Sequence, residues 1–156
     1  MKFDKKPLII ALLIPLAVGG LSALLTGGMD TFKTLEKPPL SPPGWIFPVV
    51  WTILYLLMGF ASYLVYNSKA PTYKKNNALL FYGLQLFFNF FWSIIFFRWE
   101  MYLFAFIWLM IMWVLIIITL VKFYNINKLS GLLLIPYLLW VTFAAYLNLG
   151  IYILNK

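Results

Sequence analysis

The 156-residue sequence has no cysteine and no histidine, and charged residues make up 10% of it. A disulfide framework, a thiol nucleophile and a histidine-ligated haem or metal centre are therefore excluded. Soluble globular proteins carry about 25% charged residues. This chain is instead 64% hydrophobic, with a mean hydropathy of +0.93. The composition is that of an integral membrane protein.

The few charged side chains are confined to short segments that separate five uncharged stretches. A bilayer core of about 30 Å is crossed by about 20 helical residues, and each stretch is that long. The apolar runs are continuous rather than alternating, which favours helices over barrel strands. We predict an all-α integral membrane protein, a compact bundle of five transmembrane helices forming one domain over residues 1–156. The predicted spans are 7–28, 45–66, 78–97, 101–123 and 131–153, with a long first loop at 29–44.

Lysine and arginine are distributed unevenly between the two ends of these spans, eight on one side and four on the other. The positive-inside rule then places the N-terminus in the cytoplasm and the C-terminus and first loop outside. The net charge of +8 comes from residues at span ends rather than from a basic face of a folded surface. A nucleic-acid partner is therefore not expected.

The interiors of the predicted spans contain no carboxylate, histidine, lysine or cysteine. Acid–base pairs, serine or cysteine nucleophiles with a histidine partner, and intramembrane proton relays all require such groups. We therefore expect no metal site and no catalysis of these types.

Aromatic residues are abundant by contrast, with 7 Trp, 10 Tyr and 15 Phe. Tryptophan and tyrosine near span ends are typical anchors at the headgroup level. Trp51, Trp113 and Trp140 lie well inside their predicted spans, so this explanation does not apply to them.

Amides inside the spans are the second unusual feature. Gln85 and Asn89 lie four residues apart with Trp92 on the same helical face, and Asn148 shares a face with Trp140. Two interpretations are open. The amides form interhelical hydrogen bonds, worth about 0.6 kcal/mol each on average, or they converge in an apolar ligand pocket.

The segment 37–59, KPPLSPPGWIFPVVWTILYLLMG, resembles the signature of the TspO/translocator protein family, also called tryptophan-rich sensory proteins or peripheral benzodiazepine receptors. The likeness extends to Gln85, Asn89 and Trp92, and to PYLLWVTFAAYLN at 136–148. It covers essentially the whole chain and indicates a bacterial member of the family.

The resemblance implies a homodimeric five-helix bundle in the bacterial cytoplasmic membrane, with a pocket covered by the first loop. It implies non-covalent binding of tetrapyrroles such as protoporphyrin IX and of benzodiazepine- or isoquinoline-type molecules, with no covalently bound cofactor. Two functions are open on this basis. One is light- and oxygen-dependent porphyrin degradation without a metal, and the other is non-enzymatic transport or sensing of tetrapyrroles or other apolar molecules.

The resemblance also implies which residues line the pocket. By motif match these are Phe47, Trp51, Tyr55, Asn89, Phe90, Trp140, Phe143, Ala144 and Leu147, to which the amide-bearing faces add Gln85, Trp92 and Asn148. Trp51 and Trp140 are our hypothesised catalytic residues, acting as electron donors or radical relays in porphyrin degradation.

The first loop is rich in stiff residues and is expected to act as a lid. Its lid residues are Pro38, Pro39, Pro42, Pro43 and Gly44. Each proline fixes its own φ near about −65° and favours an extended preceding residue. We therefore expect a polyproline-type strut over 37–43, with the glycine as a corner into the second span. Lys33 and Lys37 are candidate partners for porphyrin propionates.

The absence of native cysteine makes the predicted orientation testable with single-cysteine variants. We expect Lys33→Cys to react with a membrane-impermeant thiol reagent in intact cells, because the first loop lies outside. Lys74→Cys, on the opposite side, should react only after lysis. The reverse labelling pattern would overturn the orientation.

Overall fold

The computed structural model describes residues 3–28 and 30–156, so Met29 of the predicted first loop and residues 1–2 of the predicted domain lie outside the described residues. Within these ranges the chain is helical and has no strand. The helices are α1 (Lys5–Thr26), α2 (Asp30–Thr34), α3 (Ile46–Tyr66), α4 (Thr72–Ser93), α5 (Tyr102–Ile126), α6 (Lys128–Leu132) and α7 (Ile135–Leu154). A π-helical stretch, Ile94–Arg98, continues α4.

Five helical segments are long and apolar enough to cross a membrane: α1, α3, α4 with its π-helical extension, α5, and α6 together with α7. The predicted all-α fold with five spans is confirmed. The charge-based boundaries differ most from the observed helix ends on the side of the bundle where the N-terminus lies. There α4 begins at Thr72 and α5 continues to Ile126, past Lys122. A lysine near a helix end can reach polar surroundings while its alkyl stem stays against apolar groups. Charge spacing therefore locates the spans but underestimates the length of the third and fourth.

The helices form a ring. Neighbouring pairs are α1–α3, α1–α4, α4–α5 and α5–α7, and α3 closes the ring through α6 and α7. The larger apolar core lies among α3, α4, α5 and α7 and includes Met58, Leu109, Met112 and Val141, all buried. A smaller core lies beneath the first loop and includes Phe32, Phe96 and Ile151.

Glycines allow α1 to approach α3 closely. A Cβ added at Gly59 would stand 2.7 Å from the carbonyl oxygen of Ala11 and 2.9 Å from Leu12 Cα, so only glycine fits there. Gly19 gives space to the ring of Tyr55 in the same way. Small residues at helix contacts are a common means of close packing in membranes.

The end of α1 is fixed against the end of α4. Gly27 ends α1 with a left-handed φ of 78°, a conformation that glycine adopts without a steric penalty. Arg98 Nη1 donates to the carbonyl oxygen of Leu25 (3.1 Å), one of the carbonyls that lack an intrahelical partner. About one turn before the end of α1, Ser22 Oγ donates to the carbonyl oxygen of Phe90 on α4 (2.7 Å).

The first loop does not form the expected continuous polyproline strut. Leu40 has a φ of 72°, and the hydroxyl of Ser41 donates to the carbonyl oxygen of Pro38 (2.8 Å). These features make a tight turn at Pro39 and Leu40, the positions where such turns take a proline followed by a positive φ. The strut prediction was wrong because Leu40, one of the two residues between the proline pairs, adopts a positive φ and reverses the chain.

This loop is attached to the end of α7. The side-chain amide of Asn155 accepts from the backbone N–H of Glu36 (3.0 Å) and donates to the carbonyl oxygen of the same residue (2.7 Å). Tyr146 donates to the carbonyl oxygen of Pro39 (2.8 Å), and Pro38 packs against Gly150. The loop is therefore held in place over one end of the bundle.

Candidate functional site

A cavity of about 410 Å³ lies between α1, α3, α4 and α7, beneath the first loop. Its innermost lining residues on these four helices are Leu16, Tyr55, Asn89 and Trp140, and Phe32 of α2 covers the other end. Binding sites for small molecules have volumes of about 300–1,000 Å³. Within the described residues no charged side chain lines the cavity.

Aromatic rings form much of the cavity surface. They are Phe32, Phe47, Trp51, Tyr55, Trp92, Phe96, Phe97 and Trp140. Trp51 stacks on Tyr55, with ring centroids 5.5 Å apart. Phe47 packs edge-on against both Trp140 (5.9 Å) and Phe32 (5.6 Å). Because each ring is held by another, the apolar surface is preorganised.

The amides form interhelical hydrogen bonds, and two of them also line the cavity. Asn148 accepts from Trp92 Nε1 (3.0 Å) and donates to the carbonyl oxygen of Tyr102 (2.8 Å). Asn89 accepts from the hydroxyl of Tyr55 (2.8 Å) and donates to the hydroxyl of Tyr137 (2.9 Å). Asn89 and Asn148 both lie at the cavity surface, so interhelical bonding is compatible with the pocket interpretation, which stays a prediction.

The indole N–H of Trp140 differs from those of three other tryptophans. Trp92, Trp108 and Trp113 donate to Asn148, to the carbonyl oxygen of Phe88 and to Thr142, at 2.7–3.0 Å. Trp140 Nε1 is buried and has no hydrogen-bond partner among the described residues. An unpaired buried donor costs about 1–3 kcal/mol. Trp140 lines the cavity, but its Nε1 atom is enclosed by protein atoms.

The cavity also opens sideways, between the outer halves of α1 and α3. Gly20 and Ala23 on α1, and Pro48 and Thr52 on α3, line the cavity and are exposed at the same time. A Cβ added at Gly20 would meet nothing within 4 Å. We call this gap the lateral opening. It lies within the length of two membrane-spanning helices and so faces the region that lipid chains occupy.

Among residues 3–28 and 30–156, no group of three or more Asp, Glu, His or Cys side chains could hold a metal ion.

Comparison with known proteins identifies the family. The model of the TspO/MBR family matches residues 11–154. The chain belongs to the TspO/MBR family. It is 39% identical over 124 residues to the tryptophan-rich protein TspO of Chlorobaculum tepidum, covering 80% of this chain and 78% of that protein. TspO of Archaeoglobus fulgidus is 36% identical over 150 residues (95% and 96%), and the human translocator protein is 35% identical over 122 residues (78% and 72%). The resemblance drawn from the sequence motifs is confirmed.

Most of the residues predicted for the pocket of this TspO/MBR protein line the cavity. They are Phe47, Trp51, Tyr55, Asn89, Trp92, Trp140, Ala144, Leu147 and Asn148. The structure thus brings the two hypothesised catalytic tryptophans, on α3 and α7, to one cavity. Ligand binding and catalysis by these residues stay predictions.

Three other predicted residues do not line the cavity. Gln85 is buried farther inside the bundle, where it accepts a hydrogen bond from Tyr137 (2.6 Å). Phe90 packs edge-on against the ring of Phe91. Phe143 packs against Trp140 but is not at the cavity surface.

The predicted lid residues do not line the cavity either. Pro42, Pro43 and Gly44 border a separate open depression that also contains Lys33 and Lys37. The residue of this loop that covers the cavity is Phe32, which is 6% exposed. Sequence reasoning missed it because it belongs to no quoted motif. Its signal was a single phenylalanine in an otherwise polar segment, DTFKT.

The two lid lysines lie on the outer side of Phe32. Lys33 Nζ is 3.9 Å from Asp30 in an exposed pair, and such pairs contribute little to stability. Lys37 Nζ lies 4.8 Å from the centre of the Phe32 ring and donates to the carbonyl oxygen of Leu35 (3.3 Å). Both lysines of the loop therefore lie in the depression, separated from the cavity by the ring of Phe32.

Proposed function

We propose that this protein binds tetrapyrroles such as protoporphyrin IX, and benzodiazepine- or isoquinoline-type molecules, in the cavity beneath the first loop. The observation that carries the proposal is an uncharged cavity of about 410 Å³ with Trp51 and Trp140 in its lining. Each aromatic contact with a flat ring contributes about 0.5–1.5 kcal/mol beyond the burial of apolar area. Membership of the TspO/MBR family supports the same ligand class.

The charge distribution also predicts how a porphyrin would be oriented. A carboxylate buried without a partner is strongly unfavourable. The described lining of the cavity is uncharged, whereas Lys33 and Lys37 lie beyond Phe32 in the neighbouring depression. The propionates therefore stay at the end nearest the first loop, and the apolar edge of the macrocycle points inwards.

Light- and oxygen-dependent degradation is the chemistry that this arrangement supports. The excited pigment and oxygen supply the reactivity, and the protein supplies orientation and oxidisable side chains. Trp51 and Trp140 are the electron donors in this proposal, since both indoles line the cavity.

The lateral opening favours a second function, non-enzymatic transport or sensing of tetrapyrroles or other apolar molecules. An apolar ligand that is dissolved in the bilayer could enter between α1 and α3 without crossing the first loop. Gly20 and Ala23 leave the space for such a path.

We also propose that the protein is a homodimer in a bacterial cytoplasmic membrane with its N-terminus inside. The family and the uneven distribution of lysine and arginine support this proposal.

The binding site can be tested with two phenylalanines that both contact Trp140. Phe47 (5.9 Å) lines the cavity, whereas Phe143 (5.6 Å) does not. We expect Phe47→Ala to weaken protoporphyrin IX binding about tenfold, or ~1.4 kcal/mol, because an aromatic contact and apolar area are lost. Phe143→Ala should leave affinity nearly unchanged. Fluorescence titration of the purified protein measures both, and equal losses would place the ligand elsewhere.

The catalytic proposal can be tested by illuminating the purified protein with protoporphyrin IX in air. We expect Trp51→Phe and Trp140→Phe to retain binding but to bleach the pigment about tenfold more slowly, since phenylalanine is a much poorer electron donor. Trp113→Phe is the control, because that indole bonds to Thr142 outside the cavity. Wild-type bleaching rate and product in both cavity variants would leave a binding role alone.

The path of entry can be tested with two glycines whose added Cβ atoms meet nothing within 4 Å, Gly20 and Gly83. Only Gly20 borders the lateral opening. We expect Gly20→Leu to slow association and dissociation of protoporphyrin IX in liposomes by a similar factor, about tenfold. Gly83→Leu should change neither rate. Unaltered rates in Gly20→Leu would show that the ligand enters by another path.

A further inference from the structure

A buried chain of four hydrogen-bonding side chains runs from the inner end of the cavity into the bundle. Tyr55 donates to Asn89 Oδ1 (2.8 Å), Asn89 Nδ2 donates to Tyr137 (2.9 Å), and Tyr137 donates to Gln85 Oε1 (2.6 Å). Tyr55 and Asn89 line the cavity, whereas Tyr137 and Gln85 do not. All four side chains are buried. We call this set the tyrosine–amide chain.

All donors in the tyrosine–amide chain point the same way, and Gln85 determines the direction. A tyrosine hydroxyl has one proton, and Tyr137 gives its proton to Gln85. Towards Asn89 it can therefore only accept, so the amide nitrogen of Asn89 must face it. The amide oxygen is then turned to Tyr55, which uses its own proton there.

This direction controls what the cavity offers to a ligand. The hydroxyl of Tyr55 has no proton left, so towards a ligand it is an acceptor only. Asn89 keeps a second N–H that has no partner among the described residues. An acceptor and a donor thus lie side by side at the inner end of the cavity. Because no charged group lines the cavity, their complement is an uncharged ligand edge.

We propose that Gln85 and Tyr137 are positioning residues that make Tyr55 an acceptor towards the ligand and so set the hydrogen-bonding specificity of the cavity. The ligand class that fits is a flat molecule whose inserted edge has an uncharged N–H next to an uncharged acceptor, as in a lactam. The inference rests on the proposed binding function but concerns residues that do not touch the ligand.

Removing the acceptor at the end of the tyrosine–amide chain, Gln85, should reverse the direction of its hydrogen bonds. In Gln85→Met the original direction would leave the proton of Tyr137 buried and unpaired, which is unfavourable. Tyr137 would donate to Asn89 instead, and the amide would turn its nitrogen to Tyr55. The proton of Tyr55 would then be free, and this residue would become a donor towards the cavity.

Three flat, uncharged probes of similar shape can detect this change: carbazole, which has an N–H donor, fluorenone, which has a carbonyl acceptor, and fluorene, which has neither. Their affinities for the full-length protein in detergent can be measured by quenching of tryptophan fluorescence. We expect Gln85→Met to shift the affinity ratio of fluorenone to carbazole about tenfold in favour of fluorenone, equivalent to ~1.4 kcal/mol. Fluorene binding should change little.

The same substitution in a Tyr55→Phe background isolates the mechanism. Without the hydroxyl of Tyr55, Gln85→Met should leave the fluorenone-to-carbazole ratio unchanged. Tyr137→Phe is a second variant in case Gln85→Met does not fold, and it should shift the ratio in the same direction. Tyr82→Phe is the matched control, because this buried tyrosine neither belongs to the tyrosine–amide chain nor lines the cavity.

The outcomes separate this inference from the proposed function. If Gln85→Met and Tyr137→Phe weaken all three probes alike, with an unchanged ratio, the residues are structural and the inference is wrong although the binding site stands. If the ratio shifts equally in the Tyr55→Phe background, the proton of Tyr55 is not the cause and the inference is again wrong. If the wild-type protein binds none of the probes and no protoporphyrin IX, both proposals fall.

Discussion

Polar groups inside a membrane have no water to bind, so each must find its partner within the protein. Among the described residues no charged side chain is buried, and hydroxyls, amides and indoles supply the partners. Ser130 bonds to the carbonyl oxygen of Ala61, and Trp108 to that of Phe88. These bonds tie neighbouring helices at defined heights. Among the described residues the buried N–H of Trp140 lacks such a partner, as does the hydroxyl of Tyr82, and of these two residues Trp140 lines the cavity.

The cavity exists because one helix supplies little side-chain volume towards the interior. On α1, Gly19, Gly20, Ser22 and Ala23 line it, while the other helices contribute large rings. Ser22 nevertheless ties α1 to α4 through hydrogen bonds to the carbonyl oxygen of Phe90 and to the hydroxyl of Ser93 (2.6 Å). Because α1 has small side chains towards the interior and is hydrogen-bonded to α4, the space beside it has fixed walls. The first loop is bonded to α7. Phe32, which covers the cavity, and Trp140, which lines it, therefore lie on connected parts of the structure.

Sequence information was sufficient to predict the five spans and most of the residues at the cavity surface. Charge avoidance in the membrane gave the five spans, and the tryptophan and amide motifs gave nine residues at the cavity surface. It was insufficient where local geometry decides. Phe90 follows Asn89 directly, yet one residue turns the side chain about 100° around the helix and away from the cavity. The turn at Leu40, and Phe32 as the actual cover, depend on contacts with α7 and with other rings that no motif records.

The lateral opening connects the two functions proposed for this protein. An apolar ligand concentrates in the bilayer, so a cavity that faces the lipid can be filled at modest affinity. Affinity alone would then not distinguish degradation from transport, since both begin with the same bound state. The residence time of the ligand would distinguish degradation from transport. Photochemistry requires the pigment to stay near Trp51 and Trp140 until light and oxygen act, whereas transport requires it to leave. Gly20, at the lateral opening, affects how fast the ligand leaves. The tyrosine–amide chain, at the inner end of the cavity, affects how well the ligand fits.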